Sequence, residues 1–118
     1  MIECALNWMR QIAQTIYEKK GTNITAIDVR TFSSTADYVL IATGNVDKHV
    51  IFLGKEIENV MNALGQRVVR AEGLRQGDWV VLDYFYIMIH LFVPEMRQRY
   101  QLERLWKDGQ ILTLDLHR

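Results

Sequence analysis

A single cysteine, Cys4, allows no internal disulfide and no thiolate cluster for zinc or for iron and sulfur. That scarcity fits a reducing cytosol. Charge of one sign is lacking as well: fourteen Lys and Arg face fourteen Asp and Glu. A polyanion therefore exerts no strong general pull, which disfavours nonspecific binding to nucleic acid or a membrane surface and predicts no strong direct nucleic-acid contact. Long hydrophobic runs are also missing. The most apolar stretch, Val80 to Phe92, is interrupted by Asp83 and His90 and is too short to cross a bilayer as a helix. The N-terminus enters a mixed polar and apolar pattern within a few residues, where a signal peptide needs a basic start and an unbroken apolar segment. The expected location is cytoplasmic. The glycines form neither a GxGxxG nor a GxxxxGK run, so neither phosphate-cradling loop is encoded.

What is present is enough apolar material for one core. The 118 residues suit one domain, 1–118, and the hydrophobic fraction of 49% excludes wholesale disorder. A chain of this size buries roughly two thirds of its unfolded surface. No repeat, linker or low-complexity segment interrupts it.

Ile2, Leu6, Met9, Ala13 and Ile16 recur at helical spacing, and Ile12 widens the stripe of this first helix. Cys4, one turn into it, reads as a small apolar filler. Gly21 after Lys19 and Lys20 predicts a left-handed cap. Ile24 to Val29 is a short strand, and Tyr38 to Ala42 is apolar throughout, as a central strand covered on both faces would be. Asn45 or Asp47 is positioned to cap a second helix, whose stripe is Val50, Leu53, Ile57, Val60, Met61 and Leu64 and whose stop is Gly65. Arg67 to Ala71 predicts another short strand. Trp79 to Tyr84 and Tyr86 to Val93 predict a hairpin, with Ile87, Ile89 and Leu91 on one face of its second arm and Tyr86, Met88, His90 and Phe92 on the other. Pro94 suits the start of a short helix, the run to Trp106 is helical or nearly so, Asp108 with Gly109 closes it, and Ile111 to Leu116 is a last strand or an ordered tail. The fold class is α/β, a mixed β-sheet with flanking helices rather than a βαβ repeat.

Catalytic chemistry finds no constellation. Asp28, Asp37, Asp47 and Asp83 are not spaced to converge on an ion, and they read as turn, cap or interface carboxylates. Gly44 with Asn45 is either an anion-binding helix start or a glycine needed for close passage. His90 is either a base that Asp83 orients across the hairpin or a hydrogen-bonding member of a sheet face. His49, near the start of the second helix, reads as a surface residue. Recognition chemistry has the better case: Trp79, Tyr84, Phe85, Tyr86, Phe92, Tyr100 and Trp106 crowd together, with Arg97, Arg99 and Arg104 interleaved. Large aromatics and Arg dominate protein–protein hot spots, because they bury much area for little entropy and keep a polar handle. A core accounts for part of this set. Bases could stack on the same mixture, but the neutral net charge weighs against that.

Several of these residues also form a signature. Glu72, Gly73 and Leu74, followed by Gly77, Asp78, Trp79, Val80, Val81, Leu82, Asp83 and Tyr84, resemble the EGL and GxWVLLDY elements of the ribosomal silencing factor family, RsfS or Iojap, with Val81 in the first Leu position. His90 and Phe92 continue the resemblance, as do Arg97, Tyr100, Leu102, Glu103, Arg104, Leu105 and Trp106, which follow RxxYxLERLW. Upstream, Ser33, Asp37, Tyr38, Ile41 and Gly44 fit SxxxDYxVIxxG, with Leu40 in the Val position, and His49 fits the helix that follows. The resemblance runs from about Asp28 to Trp106.

The resemblance implies a nucleotidyltransferase-like shape without the catalytic carboxylates, no enzymatic activity, no cofactor and no metal. It further implies a translation repressor. Such a protein binds the large ribosomal subunit through a ribosomal protein on its subunit-joining face and blocks the small subunit sterically. The partner-binding residues carried over are Trp79, Asp83, Tyr84, His90, Tyr100, Glu103, Arg104, Leu105 and Trp106. Tyr84, Tyr100, Leu105 and Trp106 are expected as apolar anchors, with Glu103 and Arg104 fixing orientation. A homodimer is expected where exposed aromatics pair in the absence of the partner. The hairpin tip departs from the family: Phe85 and Tyr86 stand where it usually has Gly and Asp, which predicts a changed or strained turn.

Overall fold

The computed structural model describes residues 2–31, 36–106, 109–114 and 116. Ser33, Asp108 and the side chains of Ile2, Cys4 and Trp106 lie outside the described residues. The elements run α1 (Ile2–Glu18), β1 (Thr22–Asp28), β2 (Tyr38–Thr43), α2 (Asp47–Ala63), β3 (Arg70–Glu72), β4 (Trp79–Asp83), β5 (Ile87–Phe92), α3 (Pro94–Tyr100), a 3-10 turn η1 (Leu102–Trp106) and β6 (Gln110–Leu112). The strands form one sheet in the order β3-β4-β5-β2-β1-β6. β2 and β5 pair in parallel and the other neighbours antiparallel, so the sheet is mixed and the class is α/β, as expected.

The stripes of α1 and α2 bury Met9, Ile12, Ile16, Val50, Leu53, Ile57 and Met61 against Leu40, Ala42, Leu82, Ile87, Ile89 and Leu91. The opposite face gathers a smaller cluster, Ile27, Val29, Val39, Ile41 and Phe92, under Met96, Leu102 and Trp79. β2 is buried along its whole length because both clusters draw on it. Its unbroken apolar character is the sequence correlate of that position.

Local chemistry departs from expectation at three joints. Residue Lys20, not Gly21, adopts the left-handed conformation after α1 (φ 73°). Gly21 is needed for space instead: a Cβ there would lie 2.3 Å from Ile16 Cγ2. Neither Asn45 nor Asp47 caps α2; Val46 holds the N-cap position without a side-chain bond. His49 reaches back from the first turn, its Nδ1 accepting the Asn45 N–H at 2.9 Å and its Nε2 lying 2.8 Å from the Lys19 carbonyl. It is half-buried and ties the end of α1 to the start of α2, rather than lying free on the surface. β1 begins earlier than Ile24, with an irregularity between Thr22 and Thr25 where Asn23 has φ 51°. β3 begins later than Arg67 and is a short exposed edge.

Candidate partner-docking surface

The hairpin and the segment after it meet at one end of the sheet. β4 and β5 pair Trp79 with Phe92, Val81 with His90 and Asp83 with Met88. Pro94 occupies the first turn of α3, where its missing N–H costs nothing. α3 ends at Gln101, which is left-handed (φ 44°) and donates its N–H to the Arg97 carbonyl at 2.9 Å. This turn lets η1 follow, with the Arg104 N–H donated to the Gln101 carbonyl at 3.0 Å.

Trp79 is half-buried at the centre of an aromatic group. Its ring lies 4.9 Å from Phe92 and 5.1 Å from Tyr100 between centroids, in tilted geometry. The indole N–H donates to His90 Nδ1 at 3.2 Å. A donor on Nδ1 requires that nitrogen to be an acceptor, so neutral His90 carries its hydrogen on Nε2. Burial pushes the His90 pKa down to about 4, since the interior disfavours the imidazolium. His90 is thus a neutral, hydrogen-bonding member of a sheet face. Asp83 does not orient it: its Oδ1 accepts the Phe85 N–H at 2.9 Å, closing an Asx-type turn.

Arg97 joins α3 and η1 to the sheet. Its Nε donates to Glu103 Oε1 at 2.9 Å, Nη1 donates to Thr43 Oγ1 at 2.9 Å and to the Asn23 carbonyl, and Nη2 donates to Thr25 Oγ1 at 3.2 Å. Glu103 is therefore held in an intramolecular ion pair. Sequence reasoning kept Arg97 in the motif but assigned it no role, because three of its acceptors are distant in the chain.

The nine residues singled out in the sequence do not form one patch. Tyr100, at 50% exposure, and Leu105, at 69%, present apolar surface beside exposed Arg104. Trp106 belongs to η1 by its backbone. Tyr84, expected as an apolar anchor, is instead 7% exposed and belongs to the core beneath α2. Burial, and secondarily the charge of Glu58, pushes its phenol up to about 12. Asp83 and Tyr84 also stand at the far end of β4, roughly 13 Å along the strand from Trp79.

The hairpin tip is strained in the way the departure from the family predicts. Phe85 has φ 76°, and the Tyr86 N–H donates to the Tyr84 carbonyl at 2.9 Å. That is a γ-turn centred on a residue with positive φ, a rare and strained geometry for a bulky side chain. Phe85 is exposed and meets Tyr86 edge-on at 4.9 Å between centroids.

Asp28 and Asp37 both lie near Arg30, at the paired ends of β1 and β2. Asp28 is forked to Arg30, which holds its carboxyl below the usual range, and Asp47 lies in the first turn of α2. Among the described residues no group of three or more His, Cys, Asp or Glu converges as a metal site requires. None of the described helices is long and apolar enough to cross a membrane.

The family described as "Ribosomal silencing factor during starvation" matches residues 3–118. The chain belongs to the ribosomal silencing factor family, RsfS. The family is not enzymatic. The chain is 36% identical over 98 residues to "Ribosomal silencing factor RsfS" of Bacillus subtilis, covering 83% of each chain. It is 28% identical to "Mitochondrial assembly of ribosomal large subunit protein 1" of Mus musculus, covering 80% of this chain and 43% of that protein. Among solved structures, a crystal structure from Bacillus halodurans superposes with a TM-score of 0.82 at 28% identity, covering 92% of this chain and 99% of the other. One from Chromobacterium violaceum shares the fold at TM-score 0.84 and 24% identity, covering 95% and 92%.

Proposed function

We propose that the chain represses translation by binding the large ribosomal subunit through a protein on its subunit-joining face, where it sterically excludes the small subunit. The observation that carries this reading is the Tyr100 to Leu105 segment. It exposes Tyr100, Arg104 and Leu105 together on a support fastened to the sheet, in a chain of the RsfS family. Half-exposed aromatics beside an arginine are the anchors expected of a protein–protein dock. The mouse relative, whose name refers to assembly of the large ribosomal subunit, supports the choice of subunit. Steric exclusion asks for a shape and an affinity, not for a nucleophile, so buried neutral His90 has no catalytic task in it. Residues 1–118 act as one domain in this reading, the likeness to nucleotidyltransferases concerns shape alone, and the site of action is the cytoplasm. Free copies pair through the same exposed aromatics, and docking separates them.

The test is sedimentation of the purified protein with separated ribosomal subunits. The expected result is co-migration with the large subunit and reduced subunit joining. Tyr100→Ala combined with Leu105→Ala weakens that binding by about a hundredfold while the fold persists. Failure of the unaltered protein to travel with the large subunit defeats the proposal.

A further inference from the structure

The docking segment stands on a slender support. α3 has seven residues, none of them fully buried, and η1 has five. Helical pieces this short do not hold their shape in water by local propensity. Among the described residues their apolar footing is Met96 and Leu102 against the smaller core cluster and the Tyr100 ring against Trp79. The polar footing converges on Arg97, whose side chain is 13% exposed. Its guanidinium addresses four acceptors on three elements: Glu103 on η1, Thr43 on β2, and Thr25 and the Asn23 carbonyl on β1. Arginine suits this place because its fork presents several donors in one plane, whereas lysine offers a single point charge on a flexible stem.

We propose that Arg97 is a positioning residue for docking: it contacts no partner, and it holds α3 and η1 in the arrangement that presents Tyr100 and Leu105. The proposal rests on the reading that this segment meets the large subunit. Glu103 gains a second meaning. In sequence it is expected to orient the partner, yet its carboxylate holds Arg97 from the η1 side, so its charge acts within the molecule.

The test has two readouts, amide hydrogen exchange on the free protein and affinity for isolated large subunits. Arg97→Met keeps the apolar stem and removes the fork. It speeds exchange across residues 98–105 by about tenfold, leaves β2 and β5 protected as before, and weakens binding about tenfold, because only the ordered fraction of the segment is competent. Arg97→Lys recovers part of both losses. Thr43→Val, which removes one acceptor and keeps the charge, shifts both readouts in the same direction by about threefold. Unchanged exchange across 98–105 in Arg97→Met overturns the proposal, and so does faster exchange with unchanged affinity. If the unaltered protein does not bind large subunits, the docking reading fails and the presenting role falls with it, while exchange in the free protein still decides whether Arg97 orders the segment.

Discussion

One face of the sheet carries two seventeen-residue helices whose apolar stripes meet Leu40, Leu82, Ile87, Ile89 and Leu91, whereas the other carries a seven-residue helix and a short 3-10 turn pinned by Arg97. On the first face the stabilising quantity is apolar area removed from water, about 1.5–3 kcal/mol for each fully buried Leu or Ile. On the second, the packing of Tyr100 on Trp79 and the several hydrogen bonds of Arg97, one of them an ion pair with Glu103, hold a segment that keeps Tyr100 and Leu105 in solvent. The contrast teaches that stability and presentation are assigned to opposite sides. A surface left exposed cannot also supply the burial that holds the fold, so its geometry depends more heavily on polar contacts.

The largest effect expected from this comparison is on the first face. Leu53 is fully buried between the helices and the sheet, and Leu53→Ala lowers unfolding stability by about 2–5 kcal/mol. Leu105→Ala on the second face changes it by no more than about 0.5 kcal/mol. Urea unfolding compares them, and a similar loss in both variants breaks the contrast. A somewhat smaller effect concerns His90. Its folded pKa of about 4 lies below the ordinary value of 6.5, so the unfolded chain takes up a proton first as pH falls. This contribution is complete above pH 6.5, declines through the interval down to about 4 and is gone below it. It amounts to about 3 kcal/mol, and protonation also breaks the bond from Trp79. Unfolding measured from pH 7 to 4 should show a slope that His90→Gln flattens; an identical slope in that variant removes His90 as its source. The smallest effect is at the tip, where Phe85→Gly relieves the positive φ and raises stability by about 1 kcal/mol. A lower urea midpoint in that variant shows instead that the edge-on contact with Tyr86 outweighs the strain.

Much of the first face is legible in the chain. The stripes Met9, Ile12, Ile16 and Val50, Leu53, Ile57, Met61 are periodic, β2 is apolar throughout, and Pro94 marks the start of α3, because these signals lie within a few residues of what they specify. The second face is less so. Arg97 finds its acceptors Thr43, Thr25 and Asn23 at separations of 54, 72 and 74 residues, and no local pattern announces such a meeting. Tyr84 misled for the opposite reason: a tyrosine at a strand end has the same local appearance whether it faces a partner or α2. The left-handed residue after α1 and the role of His49 in tying α1 to α2 were hidden because Gly21 and Asp47 supply a stronger sequence signal than Lys20 and His49.

The amino-acid sequence by itself determined the class of the fold, the two amphipathic helices, the hairpin and, through the GxWVLLDY and LERLW elements, membership of the RsfS family. Only the tertiary structure decided which aromatics are presented and which are consumed by the core. It buries Tyr84, seats Trp79 on His90 and Phe92, and leaves Tyr100 and Leu105 outward. The reason is physical: periodicity is written in neighbouring residues, while exposure depends on what the rest of the chain brings to the other side.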